Sequence, residues 1–499
     1  MTRMSHRILA AATALTVLST GASALAAEAA PIAEAPVSTI AVQLNGQALT
    51  FTDAVPQVKE ERTFLPFRAV FEAMGAEVSY NAETNQVSAT RDGTTVTMTL
   101  GSTEAAVTAG DVTTTLTMDV APYAAENRTY VPVRFAAQAF GCAVGWDQDD
   151  STVILVDTQK LLEDAKADRT FTYLDKYLAY NEQFMTGNWE MKADFDASAT
   201  VLGMGPATLE GTMSGITAGS TQMEAAMTMK MDLKALLDGF SGLMSAGTET
   251  EGAVDAEAQA KTDALLKALK EDGISMELRG DLGTGLLYFT LSGDALADAG
   301  IPADTWISMD LGALYGAMGV DYAALLDASK TLDPNALLQT ALSGMALTDK
   351  DADYAAVSAL VDGVAKFLSD ESFVKDGANY TATYTLEQDG AATVITFTLL
   401  MKDDAVVGYD LTMKATAGDD EAGIPAMSMD MKAGMDADNN MTVTMTVDSN
   451  NMFDLSLEMT GSYAATDKAP ELAPPADAAV IPYEQLLGAA GDTAAELAA

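Results

Sequence analysis

Residues 62–80 read RTFLPFRAVFEAMGAEVSY, and 66 positions later residues 128–146 read RTYVPVRFAAQAFGCAVGW. Seven of the nineteen paired positions are identical, and a self-match at a fixed offset marks a duplicated supersecondary unit. The most informative shared positions form a repeat signature: Arg62, Pro66, Arg68 and Gly75 in the first copy, and Arg128, Pro132, Arg134 and Gly141 in the second. The duplication therefore determines the fold of this part of the chain.

Each copy predicts an extended segment, a helix and a strand. Proline is well tolerated in the first turn of a helix, so Pro66 and Pro132 are predicted at helix starts. Gly75 and Gly141 follow the apolar face of each helix and are predicted to end it. A polar turn and a returning strand come next in both copies. Together they predict an α+β module of two similar halves over residues 39–157.

This module resembles the N-terminal, stalk-type domain of copper amine oxidases. The likeness rests on the paired Arg-Thr-x-x-Pro-x-Arg blocks, the helix-ending glycines, and the hairpins VSYNAETNQVSATR and VGWDQDDSTVILVD. The resemblance implies an accessory, non-catalytic domain, because the copper and quinone sites of those oxidases lie elsewhere. We accordingly expect Arg68 and Arg134 to anchor neighbouring loops through hydrogen bonds rather than to bind substrate.

The N-terminus has the parts of a Sec signal peptide. It combines a basic start, an apolar stretch over residues 8–18 and the small-residue cleavage site Ala24-Leu25-Ala26. We expect a signal peptide over residues 1–26 and a flexible linker over residues 27–38. The chain is therefore predicted to be secreted, either extracellular or associated with the cell envelope.

Two features that the sequence lacks limit how the chain could be attached to a membrane. The chain has one cysteine, Cys142, and none at the predicted cleavage point, so we do not expect a lipoprotein. No segment approaches the roughly 20 apolar residues of a membrane-spanning helix. The sequence makes no prediction about oligomeric state.

Charge and histidine content exclude several classes of function. With 27 Lys and Arg against 72 Asp and Glu, the formal net charge of −45 argues against nucleic acid and anionic membranes as partners. The one histidine, His6, lies in the predicted signal peptide. Without it the chain lacks the commonest general base and transition-metal ligand. We predict neither amine oxidase chemistry nor a cofactor, and no catalytic residue.

One acidic cluster has the opening spacing of a calcium-binding EF-hand loop. Asp436, Asp438 and Asn440 alternate as that loop requires, but Met441 and Val447 stand where it needs glycine and a bidentate glutamate. A hairpin turn explains the cluster better, so we predict no metal site.

A different architecture is predicted beyond the module: a helical connector over residues 158–188, a β-rich domain over residues 189–466, and a Pro/Ala-rich tail over residues 467–499. The alternating pattern predicts ten strands in the β-rich domain: 190–201, 207–217, 224–232, 286–292, 379–388, 392–401, 406–414, 427–435, 441–447 and 452–463. Four helices are predicted between or before these strands: 233–244, 254–270, 322–345 and 354–369.

This order of elements predicts a large antiparallel sheet with one apolar and one polar face, and with helices inserted against the apolar face. Val357 and Val361, on the last predicted helix, are among the apolar side chains expected there. The pattern resembles the curved half-barrel of LolA/LppX-type envelope lipid carriers, without any diagnostic motif. That resemblance implies a domain that binds an apolar ligand.

The hypothesis that the β-rich domain binds an apolar ligand rests on its methionine residues. Of 28 methionines, 22 fall between Met191 and Met459, mostly on the apolar side of predicted strands. Such surfaces adapt to varied apolar partners, although a methionine stripe is more often ordinary core. The candidate ligand-lining side chains are Met229, Met429, Met445 and Leu457.

Three functions remain open from the sequence. The leading hypothesis is a non-catalytic envelope protein whose β-rich domain binds an apolar ligand or a protein partner. The alternatives are a purely structural or adhesive surface protein with a filled core, and an undetected hydrolase. A carrier predicts an apolar cavity of about 300 Å³ or more beside the sheet, whereas a structural protein predicts a sheet face filled by helices.

Overall fold

The structure is a computed structural model that describes twelve ranges of the chain: residues 40–60, 62–110, 112–138, 140–245, 256–298, 305–317, 322–323, 326, 347–388, 391–419, 424–450 and 452–485. The predicted signal peptide, the linker and most of the predicted helix 322–345 lie outside the described residues, as does the end of the tail. The chain forms two compact units: Met1–Asp168 with Asp327–Ala365, and Arg169–Leu326 with Lys366–Ala499.

Thirteen strands are described in the first unit: β1 (Ala41–Leu44), β2 (Gln47–Ala48), β3 (Gln57–Lys59), β4 (Arg62–Pro66), β5 (Glu77–Asn81), β6 (Gln86–Arg91), β7 (Thr94–Thr99), β8 (Glu104–Ala109), β9 (Val112–Thr117), β10 (Tyr123–Ala125), β11 (Arg128–Pro132), β12 (Cys142–Asp147) and β13 (Thr152–Asp157). The helices described along the whole chain are α1 (Phe67–Ala73), α2 (Val133–Gln138), α3 (Thr158–Lys166), α4 (Thr172–Thr186), α5 (Lys234–Ser245), α6 (Ala256–Glu271), α7 (Asp294–Asp298), α8 (Leu311–Ala317) and α9 (Asp353–Leu368).

The two copies of the repeat each form strand, helix and strand: β4-α1-β5 and β11-α2-β12. Pro66 and Pro132 are the last residues of their strands and lie directly before the helices, where no backbone N–H is required. Gly75, with a φ of +83°, ends α1, and Gly141 takes the equivalent left-handed conformation with a φ of +69°. The duplicated sequence therefore gives a duplicated structure.

The two halves meet through β4 and β11. These strands pair antiparallel with Leu65 opposite Val131, two residues that are themselves equivalent in the repeat. The register therefore relates the halves by an approximate two-fold axis. The first half continues into the sheet β5-β6-β7-β8-β9, and the second into the sheet β12-β13-β1-β2. Apolar side chains from both halves, including Phe71 and Phe140 with ring centroids 5.3 Å apart, share one core.

Helix α9 packs on the first unit. Its Val357 and Val361 are buried against Ile154 and Val156 of β13 and Leu161 of α3. We predicted that this helix would cover the large sheet of the β-rich domain, and that prediction is wrong for these side chains. The amphipathic pattern of α9 required an apolar partner, and the partner is the outer face of β13, which is buried along its whole length.

The second unit is built on a sheet whose fourteen described strands are β14 (Asn188–Val201), β15 (Met204–Ala218), β16 (Gln222–Asp232), β17 (Ile274–Asp281), β18 (Leu286–Ser292), β19 (Thr305–Asp310), β20 (Val374–Asp376), β21 (Asn379–Gln388), β22 (Ala391–Lys402), β23 (Ala405–Asp419), β24 (Ile424–Met435), β25 (Asn440–Asp448), β26 (Phe453–Ala465) and β27 (Ala479–Pro482). Their order is β20-β21-β22-β23-β24-β25-β26-β14-β15-β16-β17-β18-β19-β27.

All neighbouring strands of this sheet are antiparallel except β19 and β27, which pair in parallel at one edge. All ten predicted strands are present. Strands β17, β19, β20 and β27 were not predicted. An α+β fold with a duplicated small module and a large, mainly antiparallel sheet is confirmed, with a parallel edge as the one departure in strand direction.

Candidate functional site

The four candidate ligand-lining residues lie on one face of the large sheet. Met429, Met445 and Leu457 lie on the consecutive strands β24, β25 and β26, and Met445 is directly opposite Leu457 in the register. Met229 lies on β16, separated from β26 by β14 and β15. The antiparallel register keeps odd-numbered residues opposite odd-numbered ones across these strands, so all four side chains share a face. We call it the methionine face.

The methionine face is half-buried. None of the four candidate side chains is buried, and none is fully exposed. The opposite face of the same strands bears polar residues such as Thr212, Thr228 and Glu458, which are exposed. Because a packed core would bury these methionines, the described residues leave room for something more to cover them.

Helix α4 covers one end of the methionine face with aromatic side chains. The Tyr177 ring packs against those of Phe397 and Tyr409, at centroid distances of 5.1 Å and 5.4 Å. Near the other end of α4, Phe184 packs 4.6 Å from Trp189. Edge-on aromatic packing of this kind favours a rigid, water-free contact. We call this region the aromatic end of the sheet.

Burial changes the chemistry of the tyrosines at the aromatic end. Burial raises the pKa of Tyr177 well above its ordinary value and raises the pKa of Tyr180 to about 12. The buried hydroxyl oxygen of Tyr180 has no hydrogen-bond partner among the residues that the structure describes. These phenols are therefore neutral at physiological pH and form part of the apolar surface.

A groove of about 640 Å³ crosses the neighbouring strands β25, β26, β14 and β15. Two even-numbered residues from each of these strands contribute polar side chains to its lining: Lys192, Asp194, Thr212, Ser214, Asn440, Thr442, Thr460 and Ser462. The residues between them, Ala193, Met213, Met441 and Gly461, complete the lining, so the groove opens on the polar face. None of the four candidate residues lines it. The apolar cavity expected of a carrier stays a prediction.

The first arginine of each repeat forms an ion pair with the other half of the module. Arg62 pairs with Asp119 at 2.6 Å, and Arg128 makes two hydrogen bonds to Asp53, of 2.5 Å and 2.9 Å. Asp53 and Asp119 are related by the same offset as the two arginines, so the two pairs are reciprocal. These exposed ion pairs link the two copies of the repeat at the surface, in addition to the β4–β11 pairing and the shared core.

The second arginine of each repeat lies exposed on the helix that follows the proline. Arg68 pairs with Glu72, one turn along its own helix, and both side chains are exposed. Arg134 is exposed on α2. Because the chain turns from strand to helix directly after each proline, the first helical turn carries these arginines outwards. The anchoring role belongs to Arg62 and Arg128.

The sequence comparison missed the two aspartates because it began at Arg62. Extending the same offset towards the N-terminus also aligns Asp53 with Asp119, Pro56 with Pro122, and Glu60 with Glu126. A longer self-comparison would therefore have found the anchoring partners.

Groups with reactive or metal-binding potential take structural roles. The Asp436 carboxylate accepts hydrogen bonds from the backbone N–H groups of Asp438 and Asn440, so this acidic cluster is a hairpin turn. Burial raises the pKa of the Cys142 thiol to about 12, which makes it a poor nucleophile. No group of three or more metal-ligating side chains occurs among the described residues.

Comparisons with known proteins agree with the reading of the module. Residues 43–155 match the family model of the copper amine oxidase N-terminal domain, which confirms the resemblance predicted over residues 39–157. The match concerns the accessory domain of those oxidases, whereas their catalytic domain is not matched. No curated protein sequence matches the chain.

One solved structure, described as lipid–protein interactions in lipovitellin, is similar to part of the chain at 9% sequence identity. The likeness covers 59% of this chain and 27% of the lipovitellin chain, with a TM-score of 0.13. That score is too low to indicate a shared fold. In addition, no helix in the described ranges is long and apolar enough to cross a membrane.

Proposed function

We propose that this chain is an exported, non-enzymatic protein of the cell envelope whose second unit binds an apolar molecule along the methionine face. The first unit, with its family match, serves as a stalk-like accessory domain. One observation carries the proposal. Away from the aromatic end, the methionine face stays half-buried across the adjacent strands β24 to β16, although its side chains are those of a core.

The composition of this face suits an apolar ligand of variable shape. Methionine is unbranched and polarizable, so it adapts to different partners better than leucine or valine. The face continues without a charged side chain from Met429 through Met445, Leu457 and Leu209 to Met229, following the strand register. An acyl chain or similar molecule would gain about 25 cal/mol for each Å² of apolar surface that it covers.

Binding of a fluorescent fatty acid, such as dansyl-undecanoic acid, tests the proposal. The mature protein is expected to bind this probe, and the variant Met445→Gln should bind it about fivefold more weakly. Glutamine nearly matches methionine in size, but a polar group on the contact face costs about 1 kcal/mol of binding free energy.

The matched control is Thr446→Gln, on the same strand and the opposite face. It should bind the probe as the unchanged protein does. Mass spectrometry of the native protein should also show co-purified lipid. Absence of both the probe signal and any co-purified lipid would reject the proposal.

The alternative is a structural or adhesive surface protein, in which the methionine face meets a protein partner. It predicts equal, negligible probe binding in all three proteins. The reciprocal ion pairs of the first unit favour this alternative, because a module whose two halves are linked in this way is suited to act as a spacer. Enzymatic activity has no comparable support from the site geometry.

A further inference from the structure

Two hairpins at the end of the sheet opposite the aromatic end expose large apolar side chains. Leu202 lies in the turn between β14 and β15, Met452 lies between β25 and β26, and Phe453 is the first residue of β26. Their exposed fractions are 55%, 48% and 38%. The backbone N–H of Leu202 donates to the carbonyl of Met452 at 2.9 Å, which fixes the two hairpins side by side. We call Leu202, Met452 and Phe453 the apolar tip.

Further exposed apolar side chains gather at the same end. Ser428 is opposite Asp448 in the register, which places exposed Met427 beside the hairpin of Met452. Helix α5 follows directly from the end of β16. A Cβ on Gly239 of α5 would lie 2.6 Å from the side chain of Met204, so α5 packs closely on the hairpin of Leu202.

Exposed Leu237 and Phe240 lie on α5 on either side of Gly239. Six of the nine exposed large apolar residues described in the second unit are therefore at one end of its sheet. Single exposed apolar residues are normal on protein surfaces, whereas a cluster indicates a contact site.

The apolar tip is also free of charge. No charged residue occurs between Asp196 and Glu210, or between Asp448 and Asp454, in a chain where charged residues make up 20%. Leu202 has a φ of +52°, a conformation that asparagine or glycine adopts at lower cost. An exposed leucine in that conformation contributes little to folding, so its use here indicates a contact that the folded unit alone does not make.

We propose that the apolar tip inserts into the interface of a lipid bilayer with zwitterionic headgroups. The inference rests on the proposed function, because the tip is continuous with the methionine face: Leu457 follows Phe453 on β26, about 13 Å further along the strand. An apolar molecule could therefore leave the bilayer at the tip and pass directly onto the methionine face.

The negative charge of the protein determines which kind of bilayer the apolar tip is expected to enter. Asp448 and Asp454 lie directly opposite each other in the register, immediately behind the tip, and the chain has a net charge of −45. An anionic bilayer would repel this surface. A zwitterionic bilayer would accept the apolar tip without that penalty, because apolar and aromatic side chains partition into the interfacial region.

Flotation of the full protein with vesicles tests the proposal. The protein should float with phosphatidylcholine vesicles at low ionic strength, and at least tenfold less with phosphatidylglycerol vesicles. The variant L202N/M452S/F453T should lose at least tenfold of its binding to phosphatidylcholine. Asparagine suits the positive φ of residue 202, and the other two positions are exposed, so the variant is expected to fold normally; circular dichroism checks this.

The matched control is Val374→Asn. Val374 is the most exposed large apolar residue described, at 68%, and it lies on β20 near the aromatic end. Its variant should float as the unchanged protein does. Three results would overturn the proposal. They are flotation of the triple variant equal to that of the unchanged protein, binding to phosphatidylglycerol vesicles equal to that to phosphatidylcholine vesicles, and no flotation of the unchanged protein. The proposal would also be overturned if the unchanged protein were a dimer and the triple variant a monomer, because a second copy would then cover the tip.

The dansyl-undecanoic acid titration separates this inference from the proposed function. The triple variant should bind the probe in solution normally, because Met229, Met429, Met445 and Leu457 are unchanged and Leu457 lies about 13 Å along β26 from Phe453. Normal probe binding without flotation would overturn the docking alone. Tip-dependent flotation of a protein that binds no probe and carries no co-purified lipid would retain the docking and reject the proposed binding of an apolar molecule.

Discussion

Asp147 and Asn81 occupy equivalent positions in the two halves of the first unit, at the offset of the repeat. In both, one side-chain oxygen accepts two backbone N–H groups of the following turn. The second oxygen of Asp147 also accepts the backbone N–H of Lys350 at 3.0 Å. The aspartate therefore makes the turn of its half and also holds the segment that leads into α9.

The substitution Asp147→Asn should isolate this additional bond. Asparagine can cap the turn, as Asn81 does, but its amide N–H₂ cannot accept from Lys350. We expect a loss of about 1–2 kcal/mol in the free energy of unfolding at pH 7. Urea unfolding measures this loss, and hydrogen exchange of residues 347–353 in the folded protein shows where it occurs. A stability equal to that of the unchanged protein would show that this bond contributes nothing.

The effect of Asp147 should depend on pH. Burial alone would raise the pKa of Asp147, but the backbone N–H groups of Lys350, Asp150 and Asp149 bind its charged form and hold the pKa below its ordinary value. A lowered folded-state pKa gives stability that is present above the unfolded value of about 3.9 and is lost as pH falls through the folded value. The difference between the unchanged protein and Asp147→Asn should therefore close below about pH 4, as urea unfolding at pH 7, 5 and 3 would measure.

At the scale of elements, two glycines in the first unit have opposite reasons for being glycine. Gly75 needs its left-handed backbone to end α1, and a Cβ there would meet no atom within 4 Å. Gly145 lies within β12, where a Cβ would clash with the carbonyl oxygen of Leu347. Gly75 is required by the backbone conformation of the turn, and Gly145 is required by the close approach of the segment before α9.

Alanine substitutions should separate these two causes. Gly75→Ala should destabilise the first unit by about 1 kcal/mol through its backbone conformation alone, and Gly75→Asn should cost less. Gly145→Ala should cost about 1–3 kcal/mol, because the segment carrying Leu347 must move. Thermal unfolding measures both losses. Increased hydrogen exchange at residues 347–353 is expected for Gly145→Ala only, and its appearance in Gly75→Ala would contradict the assignment.

The sequence predicted elements where side chains alternate or repeat clearly. The pattern Met227, Met229, Met231 against Thr228 and Lys230 identified β16 and its two faces. Strands β19 and β27 were missed because each is short and because they pair in parallel although they are far apart in the sequence. Local periodicity thus predicted that the methionines share a face, but the pairing of β14 with β26 that joins both halves of that face has no local signal.

At the scale of the whole molecule, the chain leaves the first unit after Asp168 and returns to it with Asp327–Ala365, the segment that contains most of α9. The amphipathic pattern of α9 predicted that it would be covered, but not by which sheet, because an apolar stripe carries no information about its partner. The domain organisation was therefore predicted only in outline. A segment that is distant in the sequence completes the core around Ile154 and Val156.

Val357→Thr tests this long-range contribution. Threonine matches valine in shape but buries a hydroxyl group, at a cost of about 1–3 kcal/mol. Hydrogen exchange should increase in β13 and α3, while β24 to β26 of the second unit stay protected. Ala359→Ser, on the exposed side of α9, is the control and should change neither. Increased exchange confined to the second unit would contradict the placement of α9.

The pairing of Leu65 with Val131, and the crossed ion pairs of Arg62 and Arg128, have a consequence for the origin of the first unit. Each half offers the same strand and the same arginine and aspartate to its neighbour, so each half is self-complementary, as are the subunits of an isologous dimer. When two such halves are fused into one chain, their association no longer depends on protein concentration, because the connecting segment keeps them close together. The two halves differ in one respect, because Asp147 also binds the segment that leads into α9, whereas Asn81 forms the turn of its own half.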